Sequence, residues 1–390
     1  MNLKGFYSSG KALLGILHGS RAFGGPVQAI LSLGSKCNMR CIHCYYYSPY
    51  LQGPVHRVLR AGEIHNQSDM SEDIQMELVE ELLNIGVYNF VLSGDGEFLL
   101  NKNCMDIMER LKKSSSKCIL NTNGTLLTKD MIDKLIKIKF DELRITVMAG
   151  TAEMYLLTHP GVKEDIFYNL KENLIYLAEK KKELGVKKPE ATLVYIVISE
   201  NYNGIFNFAE FAHSVKADRL LYRPFDDVDD AGLKKFIPSE KQSDHIIKEL
   251  MKVKDFLLKT KVKQNIASFL KAFRGKIDTT ELYRFIPCYY PWLASMIDIN
   301  GNVYPCCRCY TPVGNIHKNS FRKIWFGNSY RELRKEALQI NERQKSVKDC
   351  YCNSCVHFIP NIRVYQLLNP LKARSTQFKS LCRHLSEGDE

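Results

Sequence analysis

The chain has no run of about twenty apolar residues, so no segment of it reads as a transmembrane helix. A secretory signal is missing too. The apolar patch Ala12-Leu13-Leu14-Gly15-Ile16-Leu17 is too short for the usual signal core and has no clear cleavage site. A cytoplasmic protein is therefore expected. No internal repeat and no long low-complexity segment occurs, which argues against a solenoid. The 13 cysteines are too few for 390 residues to form a disulfide scaffold, and they cluster without an export signal. Metal binding is the better reading of them. Acidic charge is in deficit: the formal net charge is +12. That balance favours anionic partners such as phosphorylated metabolites, a lipid surface or nucleic acid. Clusters such as Lys180-Lys181-Lys182 are short and read as solvated faces, and no recognition motif accompanies them, so nucleic acid is disfavoured.

A hydrophobic content of 45% over 390 residues suffices for one large core and a smaller module. Short apolar, often β-branched runs predict strands at 28–33, 88–92, 118–121, 143–147, 192–198 and 220–222. Helices are expected between them. Ser71 can cap one that carries Ile74, Leu78, Val79, Leu82 and Leu83 and stops at Gly86. Thr128 can cap another with Met131, Ile132, Leu135 and Ile136 inward, and Glu164 to Leu184 forms a longer one ending at Gly185. Six strands alternating with helices imply parallel pairing and right-handed crossovers, hence an α/β fold shaped as a partial (βα)6 TIM-like barrel. Residues 240–273 read as helix. The expected organisation is an N-terminal segment 1–27, the barrel 28–228, a helical linker 229–285, a small cysteine-rich module 286–358 and a tail 359–390. The N-terminal segment, with Phe6, Tyr7, Leu13, Leu14, Ile16, Leu17, Lys11 and Arg21, is expected to pack on the barrel; weak contact with a membrane surface is the alternative. Cys104, Cys118 and Cys382 stand singly and read as packed or spare thiols.

Chemistry enters at Cys37, Cys41 and Cys44, spaced C-x3-C-x2-C just after the first strand. Three thiolates hold three corners of a 4Fe–4S cube and leave one iron open. The competing reading is a zinc knuckle with His43 as fourth ligand. The loop resembles the signature of the radical S-adenosylmethionine (SAM) family, with His43 at its usually aromatic position. The resemblance extends over most of residues 28–358. It implies that SAM chelates the open iron, and that its reductive cleavage yields a 5′-deoxyadenosyl radical that abstracts a substrate hydrogen. It also implies an external electron donor such as flavodoxin or ferredoxin.

Further segments carry the resemblance. Gly94-Asp95-Gly96-Glu97 is similar to the family's Gly-Gly-Glu-Pro motif, with Asp95 inserted and Phe98 replacing proline. Glycine lets backbone approach a ligand closely, and a carboxylate accepts from an ammonium group. Carry-over of the family pattern places Gly94, Gly96, Glu97, Thr122, Asn123, Thr146, Val197, Ile198, Asn201, Tyr222 and Arg223, with His43, around SAM. The acidic residue usual after the fourth strand is missing at Met148-Ala149-Gly150.

Cys288, Gly301-x4-Cys306 and Cys352-x2-Cys355 look like the SPASM extension of the family. The later C-x5-C-x3-C portion is absent, so the resemblance implies one auxiliary 4Fe–4S cluster on Cys288, Cys306, Cys352 and Cys355, as in shortened "twitch" versions. Cys307, Cys309 and Cys350 are close enough to substitute as ligands, and a structural zinc is the competing reading. The expected function is dehydrogenation or epimerisation of a small, polyhydroxylated or phosphorylated molecule. Cys307, Cys309 and Cys350 are then the candidate hydrogen donors for an epimerisation. A peptide substrate is the runner-up. A zinc-binding, nucleic-acid-associated protein without catalysis is the alternative of another class.

Overall fold

The computed structural model describes residues 3–34, 36–52, 70–225, 230–274 and 279–378. Cys382 and the acidic end Glu387-Gly388-Asp389-Glu390 lie outside them.

Nine strands make one sheet: β1 Gln28–Ser32, β2 Asn89–Ser93, β3 Lys117–Thr122, β4 Glu142–Thr146, β5 Glu190–Val197, β6 Arg219–Pro224, β7 Ala294–Ile297, β8 Asn302–Tyr304 and β9 Gly314–Asn315. Their order is β6-β5-β4-β3-β2-β1-β7-β8-β9. Neighbours from β1 to β6 are all parallel, each joined to the next through a helical crossover. This is the partial (βα)6 barrel expected from the strand spacing.

Local chemistry sets the helix bounds. The Ser71 hydroxyl accepts from the N–H of Ile74 at the start of helix Glu72–Asn84, and Gly86 follows that helix with φ +91°. The Thr128 hydroxyl accepts from the N–H of Met131 at the start of helix Lys129–Lys137. Helix Glu164–Glu183 runs out before Gly185, φ +64°. Leu78, Val79, Leu82, Ile132, Leu135, Leu170 and Leu174 join one core with Leu143, Ile145, Leu193 and Tyr195 from the sheet. Strand alternation sends Glu142, Arg144 and Thr146 of β4 to the opposite, interior face.

One feature corrects the sequence reading. The helix expected over 240–273 is broken: Glu240–Leu257 and Ile266–Arg274 are separate, and Lys263 between them bridges in parallel to Arg219 of β6. Asn265 then holds Tyr222 of β6 by both backbone groups, accepting from its N–H at 2.8 Å and donating to its carbonyl at 2.8 Å. The polar stretch between the two helices thus lines the outer sheet edge. The cysteine-rich segment adds its strands to the same sheet. β7 pairs in parallel with β1, and β8 and β9 continue antiparallel from it.

Candidate active site

The cysteine loop leaves the carboxyl end of β1 and lies against the loop after β2. The N–H of Gly96 donates to Gly34 O at 2.8 Å, and that of Glu97 to Lys36 O at 2.8 Å. A Cβ on Gly96 would stand 2.1 Å from Lys36 O, and one on Gly94 2.9 Å from Gly34 O. Gly94 and Gly96 are expected from the sequence to admit a ligand. The Cβ position of Gly96 is filled by Lys36 of the cysteine loop and that of Gly94 by Gly96 O and Gly34 O, so both positions require glycine where the two loops meet backbone to backbone. The far end of the cysteine loop is tied to helix Ala152–Thr158: the Ile42 N–H donates to Thr158 O at 3.1 Å, and the Ser48 hydroxyl donates to Ile42 O at 2.6 Å.

Burial pushes the thiols of Cys37, Cys41 and Cys44 up, Cys44 to about 11, and Glu97 and Asp95 add negative charge nearby. Such thiols ionise when a cationic centre binds them. The N–H groups of Tyr46 and Tyr47 point at Cys44 Sγ at 3.4 and 3.3 Å. Among the described residues, no three ligand atoms drawn from these cysteines and His43 lie within 4.8 Å of one another. A single zinc ion held by such ligands needs a tighter set. His43 is buried, stands edge-on to Phe225 at 6.2 Å and leaves Nδ1 without a hydrogen-bond partner. Burial, with His159 nearby, lowers its pKa to about 3, so it is neutral.

Glu97 locks the next two loops together. Its carboxylate accepts from the Leu99 N–H (3.1 Å), the Thr122 hydroxyl (2.7 Å) and the Asn123 N–H (2.7 Å). Thr122 Oγ1 in turn accepts from the Gly124 N–H at 3.0 Å. The Asn123 side-chain amide donates to Asn38 Oδ1 at 2.8 Å, and Asn38 donates to Thr125 at 2.8 Å. Asn38, inside the cysteine loop, is a positioning residue that the spacing of the cysteines did not single out. The Glu97 carboxyl is pushed up by burial and held down by these donors.

On the other side, Ile198, Met148, Ile42 and Phe225 form a small apolar cluster, with Ile196 packed against it. Asn201 clamps this corner, accepting from the Ile198 N–H at 2.9 Å and donating to Met148 O (3.3 Å) and Ile196 O (3.0 Å). Its side chain is consumed in positioning. Val197 faces the opposite way, into the core under the helices. The phase of alternation along β5 turns Ile196, rather than Val197, to the interior face and this cluster. Tyr222 is likewise turned outward: its hydroxyl donates to Ile205 O at 3.0 Å, and its backbone groups are held by Asn265. Thr146 and Arg223 stand on the interior face of β4 and β6. Arg223 has Arg144 and Glu142 as charged neighbours, and Glu142 is already paired with Arg144 at 2.8 Å.

The second set comes together in the fold. Cys288, Cys306, Cys352 and Cys355 line one small cavity with Tyr283, Tyr290 and His357. Burial pushes the thiols of Cys288, Cys352 and Cys355 up, Cys355 to about 11; that of Cys306 is raised chiefly by its hydrogen bond with Cys307. Cys306 Sγ accepts from the Arg308 N–H at 3.4 Å, Cys355 Sγ from the His357 N–H at 3.3 Å, and the Tyr283 hydroxyl lies 3.0 Å from Cys355 Sγ. Hydrogen bonds to sulfur are a means of setting a cluster's potential. Cys309 and Cys350 are joined in a disulfide across an antiparallel bridge. A disulfide sulfur carries no hydrogen, so as structured these two are not the hydrogen donors proposed from sequence. Cys307 keeps its thiol, 3.1 Å from His357 Nε2.

The radical SAM superfamily model matches residues 31–212, and an iron–sulfur cluster-binding SPASM domain matches 288–356. The chain belongs to the radical SAM superfamily. It is a radical SAM enzyme with a SPASM-type domain, and these domains imply 4Fe–4S clusters and SAM as cofactors. A Pyrococcus furiosus protein described as a tungsten-containing aldehyde ferredoxin oxidoreductase cofactor-modifying protein is 20% identical over 84% of this chain and 88% of its own. The subtilosin biosynthesis protein AlbA of Bacillus subtilis is 22% identical over 86% of this chain and 68% of its own. Among solved structures, Streptococcus suis SuiB bound to precursor peptide SuiA superposes with TM-score 0.60 at 14% identity, over 89% of this chain and 76% of that one. The AdoMet-bound anSMEcpe gives 0.55 at 16%, over 93% and 100%.

Proposed function

We propose that this radical SAM enzyme dehydrogenates a small substrate bearing an anionic group, with the SPASM-type centre accepting the second electron. When bound on Cys37, Cys41 and Cys44, the cluster and SAM supply the radical that removes a hydrogen atom from an unactivated C–H bond. The chain's own residues do the positioning. Glu97 fixes the loops of Thr122 and Asn123 against the cysteine loop, so the donors and acceptors around the methionyl end need no rearrangement on binding. Ile196, Ile198 and Phe225 offer an apolar seat to adenine and keep water from it. Cys288, Cys306, Cys352 and Cys355 hold the auxiliary cluster. The observation that carries the reading is the continuity of the sheet: β1, which launches the first thiol loop, pairs directly with β7, which runs between Cys288 and Cys306. One strand pair thus links the two groups, with the first thiol loop beyond the carboxyl end of β1 and Cys288 and Cys306 at its other end, before β7 and after the antiparallel β8. Arg223 beside the Arg144–Glu142 pair supports a carboxylate or phosphate on the substrate.

A peptide substrate is the second reading. It is favoured by the similarity, over most of the chain, to a bacteriocin biosynthesis protein and to a fold solved with a precursor peptide. Turnover assays of phosphorylated and polyhydroxylated metabolites against peptides encoded beside the gene separate the two. The proposal expects deoxyadenosine release with the metabolites, one SAM consumed per turnover and a product lighter by two hydrogens. Release only with a peptide, or a product of unchanged mass, overturns it.

A further inference from the structure

The N-terminal helix, Leu3–His18, is apolar on two opposite faces. One face carries Ala12 and Ile16 into a core shared with Trp292, Ile362, Tyr365 and Phe378. Gly15 sits so close to Trp292 that a Cβ would be 2.7 Å from its Cδ1. The other face points outward and holds Phe6 (70% exposed), Tyr7 (65%), Leu14 (57%) and Leu17 (66%). At about 100° per residue these four fall in a single stripe roughly 100° wide. A packed surface helix normally turns polar residues to water, so this stripe is an unpartnered apolar face.

Charge says what covers it. No aspartate or glutamate occurs in residues 1–62 or in 350–386. Both stretches meet in the core just described. They bring Lys11, Arg21, Lys372 and Arg374, together with the exposed Leu367 and Leu371. A second copy of this chain docked face to face through these two stretches would set their basic groups against the same basic groups of its mate. Nucleic acid would match the charge but not the aliphatic leucines. An anionic bilayer matches both: phosphate headgroups meet the cations while Phe6, Leu14 and Leu17 enter the acyl boundary. No helix of the described chain is long and apolar enough to cross a membrane, so the helix would lie in the interface plane.

We infer that the N-terminal helix docks the enzyme on an anionic lipid surface through the stripe Phe6, Tyr7, Leu14 and Leu17. The test is flotation of the full-length, cluster-loaded protein with vesicles of phosphatidylcholine, with and without phosphatidylglycerol. The wild type is expected to float with the anionic vesicles and to be released by salt. Leu14→Glu/Leu17→Glu should weaken binding by about tenfold or more, given the apolar burial lost. Phe6→Glu, a single change at an exposed site, serves as the second variant, and Lys11→Glu/Arg21→Glu should also lose anionic-vesicle binding. Thermal midpoint and iron content should stay at wild-type values in each. Absence of flotation with anionic vesicles, or unchanged flotation of the variants, overturns the proposal. So would a dimer, or oligonucleotide binding, that Leu14→Glu/Leu17→Glu abolishes, since the face would then belong to another partner.

Discussion

Glu97 is expected from the sequence to meet the methionyl amine of SAM, and in the structure its carboxylate accepts three hydrogen bonds from the chain itself. With three donors aimed at it, Glu97→Ala strands the Thr122 hydroxyl and the Asn123 N–H in a buried site. The expected loss is about 2–4 kcal/mol in urea unfolding of the metal-free protein, with weaker SAM binding in the loaded one. Val197 and Ile196 show the limit of reading residues alone. An apolar pair at a strand end is easily seen, but which member faces the site depends on the phase of alternation, and that is set by where the helices pack. Ile196→Ala should weaken SAM binding, measured by calorimetry, with little change in stability. Val197→Ala should do the reverse, costing roughly 1–3 kcal/mol. The equality of Cys307, Cys309 and Cys350 in the sequence is likewise broken only by tertiary pairing.

At the scale of elements, the six barrel strands and the caps at Ser71 and Thr128 were legible because each rests on local chemistry. The break at 258–265 was not. The apolar residues at helical spacing, Ile246 to Leu257, all precede it, and the chain beyond them runs along the open outer edge of β6. Asn265 meets that edge with both ends of its side chain. Asn265→Ala should lower the thermal midpoint by an amount corresponding to about 1–3 kcal/mol and leave the iron content unchanged. The glycines at 94 and 96 belong here as well: a ligand role is the natural guess for Gly-x-Gly after a strand, and only the packed loops reveal a neighbouring backbone in that space.

For the whole molecule, the two cysteine groups were visible as separate modules, and their joining through β1 and β7 was not. A four-residue strand without a helical crossover gives no periodic signal, and its partner lies far back in sequence. The consequence is that the SPASM-type segment closes the β1 edge. A chain ending at residue 285 should expose that edge and aggregate on expression, seen by size-exclusion chromatography, whereas separable modules would leave a monomeric barrel. The central claim is that three thiols hold a cluster with one iron open to SAM. Electron paramagnetic resonance of the anaerobically reconstituted, dithionite-reduced protein, with and without SAM, tests it most directly. The account predicts two cluster signals in the wild type, one of them shifted by SAM and accompanied by 5′-deoxyadenosine. It predicts that Cys37→Ala/Cys41→Ala/Cys44→Ala keeps the unshifted signal alone, with about four irons in place of about eight. Bound zinc without a cluster signal, or a first-site signal indifferent to SAM, would contradict it.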